Sequence, residues 1–233
     1  MNVLIVHAHP EPQSFCSALC ETAQRTLRDA GHDVQVSNLH ASEFKAAADA
    51  NDFGVRKNPD HLTYALEQRH NDEAATLAPD ITRELDRLMA CDLLILNFPL
   101  YWFSVPALMK GWFDRVLVSG RTYGGKRIYA QGGLAGKRAL CCVTTGARED
   151  MLQQGGIHED LTHMLRPVLV GTLGYAGMMV LPPFYAYHVP YVDDGARQAM
   201  LANYSKYLQK LDDLTPLQMP DLSEFDDRFF HLN

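Results

Sequence analysis

Several common signatures are missing from this 233-residue chain. Its apolar runs, such as Val3–Val6 and Leu93–Leu96, stop far short of the roughly 20 residues a membrane-spanning helix needs. The N-terminus, Met1-Asn2-Val3-Leu4, has neither a basic region nor a small-residue cleavage site, so no secretory leader is expected. Positive charge is scarce. With 21 Lys and Arg against 28 Asp and Glu, the formal charge is −7, which argues against the clustered basic surface that nucleic-acid phosphates require. Cysteine is sparse and irregular: Cys16, Cys20, Cys91, Cys141 and Cys142 form no CxxC pair, which removes zinc ribbons and thioredoxin-type redox motifs. Cys141 and Cys142 lie in an apolar run and read as buried thiols, and a reducing cytoplasm is the expected compartment.

Nucleotide-binding fingerprints are absent too. The loop after the first apolar run, His7-Ala8-His9-Pro10-Glu11-Pro12-Gln13-Ser14-Phe15, contains no GxGxxG. Gly132-Gly133-Leu134-Ala135-Gly136-Lys137 has the wrong spacing for a phosphate-binding Walker loop, and Arg138 stands where Ser or Thr is needed. His7 and His9 would share a strand face, but no third ligand stands at metal-binding spacing, so no metal is expected.

What remains is an alternation of strands and helices. Val3–Val6 is a run of β-formers of the kind buried on both faces of a sheet. Ser14 is placed to cap a helix through Phe15, Ala18, Leu19, Ala23 and Leu27, and Gly31 to end it. Val34 and Val36 mark a second strand, completing a βαβ unit. The stretch from Leu39 to Pro79 lacks a clear period and exceeds an ordinary connection, so short helices and a role of its own are expected there. A helix opens at Pro79-Asp80, a third strand covers Leu93–Phe98, and Pro106 begins a helix running to Val116. Gly120–Gly136 reads as a Gly-rich loop and Ala139–Val143 as a fourth strand. A helix is expected over Leu161–Leu173, a fifth strand near Met178–Leu181 closed by Pro182-Pro183, and a last helix over Asp193–Leu211. The pattern predicts an α/β fold: a five-stranded parallel sheet of order 2-1-3-4-5 with helices on both faces, over residues 1–212, followed by a C-terminal extension at 213–233. In such sheets ligands bind at the carboxyl ends of the strands. Loops 7–15, 98–106 and 144–158 are therefore expected to converge.

Each loop has its own chemistry. Ser14 and the amides after it form a helix N-terminus, which suits a phosphate and equally suits a simple cap. Tyr101-Trp102-Phe103, set between Pro99 and Pro106, would make a rigid wall for a flat heteroaromatic ring, or would pack under the next helix. Thr144-Thr145-Gly146 offers hydroxyl and amide donors that suit the edge of a flavin ring.

Together these segments resemble the NAD(P)H:quinone oxidoreductases, or DT-diaphorases. The resemblance is carried by Leu4–His9 with Ser14-Phe15, by Phe98–Ala107 with Lys110–Val116, by Thr144–Gly146, and by Gly156-Ile157-His158. It implies a flavodoxin-like homodimer with FAD at the subunit interface, FMN being the less expected flavin. It also implies NADH or NADPH as electron donor and a quinone or similar flat acceptor. His9, Ser14, Phe15 and Ala18 would hold the pyrophosphate and adenine side, with Arg197 near the adenylate. Pro99, Leu100, Tyr101, Trp102 and Phe103 would line the ring, with Thr144, Thr145 and Gly146 at its edge. Trp102, Phe103, Gly146, Met151 and catalytic His158 would form the substrate pocket, completed by Tyr123, Ile128 and Met178 of the other subunit. Donor and acceptor would use one slot in turn, giving ping-pong kinetics. Three positions depart from the family: Cys16 replaces Asn, Ala147 replaces a second Gly, and Leu152 replaces a Tyr that cooperates with the histidine. An FMN-dependent azoreductase or nitroreductase, and a flavoprotein partner of a potassium-efflux system, are rival readings.

Overall fold

The computed structural model describes residues 1–232. Its sheet holds β1 (Asn2–His7), β2 (Asp33–Asn38), β3 (Leu93–Pro99), β4 (Arg138–Thr144), β5 (Met179–Val180) and β6 (Phe184–Ala186). All pairings are parallel, in the order β2-β1-β3-β4, with β5 and β6 both on the outer edge of β4. The expected fifth strand is thus two segments. Met179–Val180 pairs with Arg138–Ala139, and Phe184–Ala186 pairs with Cys142–Thr144. Pro182 and Pro183 lie between them and have no N–H to give to the ladder, so the strand breaks there and resumes.

Alternation along the strands builds two cores. Val3, Ile5, Leu93, Ile95, Leu140 and Cys142 face α1 (Phe15–Asp29), while Leu4, Val6, Leu94, Leu96, Phe98 and Cys141 face the opposite layer. α1 places Leu19, Ala23 and Leu27 on one stripe, is capped by Ser14 Oγ accepting from Ser17 N at 3.1 Å, and ends at Gly31. There a φ of +82° lets His32 N reach Leu27 O at 3.0 Å. All five cysteines are buried free thiols.

The opposite layer holds α2 (Tyr64–Glu73), α3 (Pro79–Ala90) and α4 (Ala107–Val116). Buried Glu84 ties α3 to its neighbours, accepting from Ser37 Oγ at 2.5 Å and Trp112 Nε1 at 3.1 Å. The 39–79 stretch does contain short helices, a 3-10 turn at Ala50–Asp52 and α2. An ion cluster locks it down. Arg115 of α4 donates to Asp52 from Nε at 3.2 Å and Nη2 at 2.8 Å, to Asp80 from Nη1 at 2.5 Å, and to the Lys45 carbonyl at 2.9 Å. Lys45 Nζ and Tyr64 Oη also donate to Asp52, at 2.8 and 2.6 Å. Gly111 lets α4 lie directly on the backbone of Ala46, with no room for a Cβ.

After β4 the expected 161–173 helix is broken. It becomes two single turns, α5 (Leu161–Met164) and α6 (Arg166–Val168), and a π-helical turn at Leu169–Gly174. Pro167 lacks the amide needed to continue α5, and Thr172 Oγ1 donates to the Pro167 carbonyl at 3.0 Å across the widened turn. The last helix, α7 (Asp194–Leu208), is shorter than expected; Asp193 caps it by accepting from Ala196 N at 2.8 Å, and it packs on α1. Beyond it the chain runs back along the sheet edge, with Leu217 N donating to Val180 O at 2.8 Å. Asp227 pairs with Lys126. No helix among the described residues is long and apolar enough to cross a membrane.

The Asp52 cluster sets an acid limit on stability. Burial alone would raise the Asp52 carboxyl, but bonds from Arg115, Lys45 and Tyr64 hold it at about 2. A depressed carboxylate stabilises the fold above its unfolded value and loses that contribution as pH falls through the folded one. Urea unfolding is therefore expected to show stability declining between about pH 4 and pH 2. At pH 7, Arg115→Met should cost about 3–5 kcal/mol, because two carboxylates lose their partner. A midpoint unchanged by that substitution would mean the cluster carries no stability.

Candidate functional site

The carboxyl ends of β1, β3 and β4 open onto a cleft of about 770 Å³, within the range of small-molecule and cofactor sites. The three loops read from the sequence meet there. His9, Ser14, Phe15 and Ala18 form one wall, Pro99, Leu100 and Tyr101 the floor, and Thr144, Thr145 and Gly146 the other side. Arg197 reaches in from α7, fixed by Asp194 Oδ1 at 2.8 Å and the Val189 carbonyl at 3.3 Å. Cys16, Gln13, Val189, Pro190, Asp194, Gln198 and Leu201 complete the lining and were not named as site residues from the sequence. Asp194, Arg197, Gln198 and Leu201 lie at i, i+3, i+4 and i+7 of one helix, and that spacing was the available signal. Val189 and Pro190 arrive only because β6 continues past the proline break.

A smaller hollow of about 210 Å³ adjoins the cleft and shares Leu100 and Thr145 with it; Trp102, Phe103, Ala147, Leu152 and His158 line the rest. The His158 and Phe103 rings lie 5.1 Å apart at 55°. His158 N donates to Met151 O at 3.0 Å, which ties half-buried Met151 to the histidine segment by its backbone. Leu152, buried beside His158, offers no hydroxyl. Tyr123 lies elsewhere, in an apolar cleft of about 540 Å³ with Tyr175, Phe113 and Leu117. The structure does not bring Ile128 or Met178 to an open surface. Both are buried, Met178 within the core beside Leu173 and Ala176.

The aromatic segment has an unusual shape. Tyr101 and Ser104 exchange two backbone hydrogen bonds, each 3.0 Å. The two residues between them, Trp102 and Phe103, have φ of +50° and +59°. This is the geometry of a two-residue hairpin turn that normally takes Asn-Gly. Bulky residues held in the left-handed region cost of order 1–3 kcal/mol each and cluster at functional sites. Trp102 is 96% exposed, so burial does not offset that cost. The amides of Trp102, Phe103 and Gly146 have no acceptor among the described residues, nor do those of Phe15 and Cys16 at the start of α1. A Cβ on Gly146 would meet Tyr191 and Pro190 only at ordinary contact distance, so the protein's own packing does not demand a glycine there.

Burial favours the neutral form of two titratable side chains in the cleft, Cys16 and His9. Burial pushes the Cys16 thiol up to about 12, so it is no nucleophile. Burial lowers His9, whose Nδ1 accepts from Glu11 N at 3.0 Å, leaving its proton on Nε2. Among the described residues no group of three or more His, Cys, Asp or Glu is placed to hold a metal ion.

A parallel sheet with a cleft at its carboxyl edge, bounded by a helix N-terminus and an aromatic turn, defines a flavodoxin-like protein. Residues 1–210 match the flavodoxin-like fold family. Within it the chain belongs to the NAD(P)H:quinone oxidoreductase family, on the following likenesses. It is 37% identical over 229 residues to NAD(P)H dehydrogenase (quinone) 1 of Cavia porcellus, covering 98% of this chain and 83% of that one. It is 39% identical over 211 residues to the human ribosyldihydronicotinamide dehydrogenase (quinone), covering 90% and 91%. A solved structure of a candidate quinone reductase from Klebsiella pneumoniae superposes with a TM-score of 0.89 at 37% identity, over 93% of this chain and 86% of that one.

Trp102→Asn with Phe103→Gly should relieve the left-handed strain. Thermal or urea unfolding is expected to show a gain of about 1–3 kcal/mol. A loss of stability would show that the aromatics contribute more packing than strain.

Proposed function

We propose that this chain is a flavin-dependent NAD(P)H:quinone oxidoreductase that holds FAD in the large cleft and places donor and acceptor in turn in the adjoining hollow. The observation that carries the reading is the pairing of unspent amides at the start of α1, in the large cleft, with a strained, exposed aromatic turn that lines the adjoining hollow. Free amides at a helix N-terminus bind phosphate. An indole face and nearby free amides bind a flat ring and its polar edge. The cleft continues past α1 to Arg197, Gln198 and Leu201 on α7. That extra length supports a dinucleotide over FMN.

When bound, a flavin would supply the two-electron hydride chemistry that links a reduced nicotinamide to a quinone. The chain's residues bind and orient. Phe15 and Cys16 amides with the Ser14 hydroxyl hold the diphosphate, and Arg197 takes the adenylate side. Thr144, Thr145 and Gly146 meet the ring edge. Trp102 and Phe103 stack the reacting partner and exclude water from one side. His158 holds or returns a proton at the acceptor oxygen. With Leu152 beside it, it does so alone or through water. The slot is completed in a homodimer, to which the Tyr123 face contributes. The expected compartment is the cytoplasm, where five unpaired buried thiols stay reduced.

The purified protein is expected to be yellow, to release FAD identifiable by mass, and to oxidise NADH or NADPH with a benzoquinone in ping-pong kinetics. A colourless protein that takes up no added flavin would overturn the reading; release of FMN would move it to the azoreductase-type class. His158→Ala should keep its flavin and lose about tenfold or more in kcat. Unchanged turnover would remove His158 from the chemistry.

A further inference from the structure

One buried histidine plays no part in the reading above, yet it supports the loop on which that reading depends. His7 ends β1 and is 3% exposed. In the sheet it sits beside Asn97 of β3. Asn97 Nδ2 has two hydrogens and lies 2.8 Å from His7 Nδ1 and 2.9 Å from the Cys16 carbonyl. Flipping the amide would set its oxygen against the Cys16 oxygen, so the orientation is fixed. His7 Nδ1 must then accept, which leaves the ring proton on Nε2. Nε2 lies 3.2 Å from Ser17 Oγ and donates to it. The Ser17 hydroxyl in turn donates to the Glu11 carbonyl at 2.9 Å, the same oxygen that receives Ser14 N at 3.2 Å. Ser14 Oγ accepts from Ser17 N and lies 3.0 Å from Ser17 Oγ. Since Ser17 has spent its only hydroxyl proton on Glu11, the Ser14 proton is the one left to rest on Ser17 or to turn into the cleft.

We propose that His7 is a positioning residue of the phosphate loop: clamped as an Nε2–H imidazole between Asn97 and Ser17, it braces Glu11–Ser17 in the shape that binds a diphosphate. The inference rests on the flavin reading for the identity of that diphosphate, not for the brace itself. The direction of the bonds makes the brace sensitive to acid. A second proton on His7 would fall on Nδ1 and face the Asn97 N–H, donor against donor. Burial, with neighbouring His9 and His40, keeps the ring neutral down to about pH 4. The other titratable groups around it are Cys16 on α1, a thiol that stays protonated, and Glu11 on the loop, whose carboxylate accepts from Gln13 N at 2.8 Å.

The test compares wild type, His7→Leu and His7→Gln, whose amide can donate to Ser17 and accept from Asn97. In the ligand-free protein at pH 7, amide exchange at Ser14 and Ser17 should quicken roughly tenfold in His7→Leu, the worth of about one buried hydrogen bond, and return towards wild type in His7→Gln. Titration of apoprotein with FAD should show a matching roughly tenfold weakening in His7→Leu, with rescue by glutamine. As pH is lowered from 5 to 3.5, through the value at which His7 takes up its second proton, wild type should lose affinity more steeply than His7→Gln. Unchanged exchange in His7→Leu overturns the brace whether or not flavin binds. Wild type that binds no FAD overturns the flavin reading and leaves the exchange result to decide the role of His7. FAD bound equally by all three proteins overturns the link from brace to binding.

Discussion

The register of β1, β3 and β4 sets His7 beside Asn97 and Asn97 beside Cys142, and so decides where three loops leave the sheet. Because the strands are parallel, their carboxyl ends lie on one edge, and the chain must leave each strand there before its crossover helix begins. A slip of one residue in β3 would turn Asn97 to the opposite face. It would unclamp His7 and carry Pro99 and Tyr101 out of line with Thr144. The cleft is thus a consequence of pairing in the sheet interior. The residues that fix it, Ile5, Ile95 and Leu140 among them, never touch its contents.

The layers around the sheet do different work. α1 and α7 cover one face, and their ends supply the cleft with amides at Phe15 and Cys16 and a guanidinium at Arg197. α3 and α4 cover the other face through Glu84, Trp112 and the Arg115 cluster, and contribute nothing to the cleft directly. Their part is to hold the 39–79 segment flat. Five donors of one arginine, shared between two carboxylates and a carbonyl, close a stretch that has little apolar surface of its own. A buried ion cluster is an expensive fastener, but every donor is satisfied here, and polar loop residues leave few alternatives.

Much of this was legible in the sequence because it rests on local pattern. Continuous β-formers marked the buried strands, Ser14 and Gly31 bounded α1, and Pro106 marked the start of α4. The aromatic run was visible as a rigid wall, though its left-handed turn was not: positive φ at Trp and Phe contradicts their intrinsic preference, and only the Tyr101–Ser104 bridge imposes it. Long-range partners were equally hidden. Nothing local marks the partners of Arg115, which lie 35 and 63 residues away in sequence. The strand past Pro182-Pro183 was missed because two prolines are a stop signal locally, while β4 still offered unpaired edge beyond them. Met178 and Ile128 came from a family resemblance, and resemblance carries positions without their burial.

The balance of charge in the cleft explains why loop shape matters so much. Among the described residues Arg197 is the one cation lining it, and Asp194 lies against its guanidinium and offsets part of its charge. His9 is held towards neutrality by burial. What remains for an anion is the partial charge at the start of α1 and a few amides, each effective only at hydrogen-bond distance and in line. A lysine can follow a misplaced phosphate; a backbone amide cannot. A site that relies on amides therefore needs its loop held rigidly before the ligand arrives. In this chain that support falls to neutral groups, a histidine, an asparagine and two serines, behind the surface the ligand would touch.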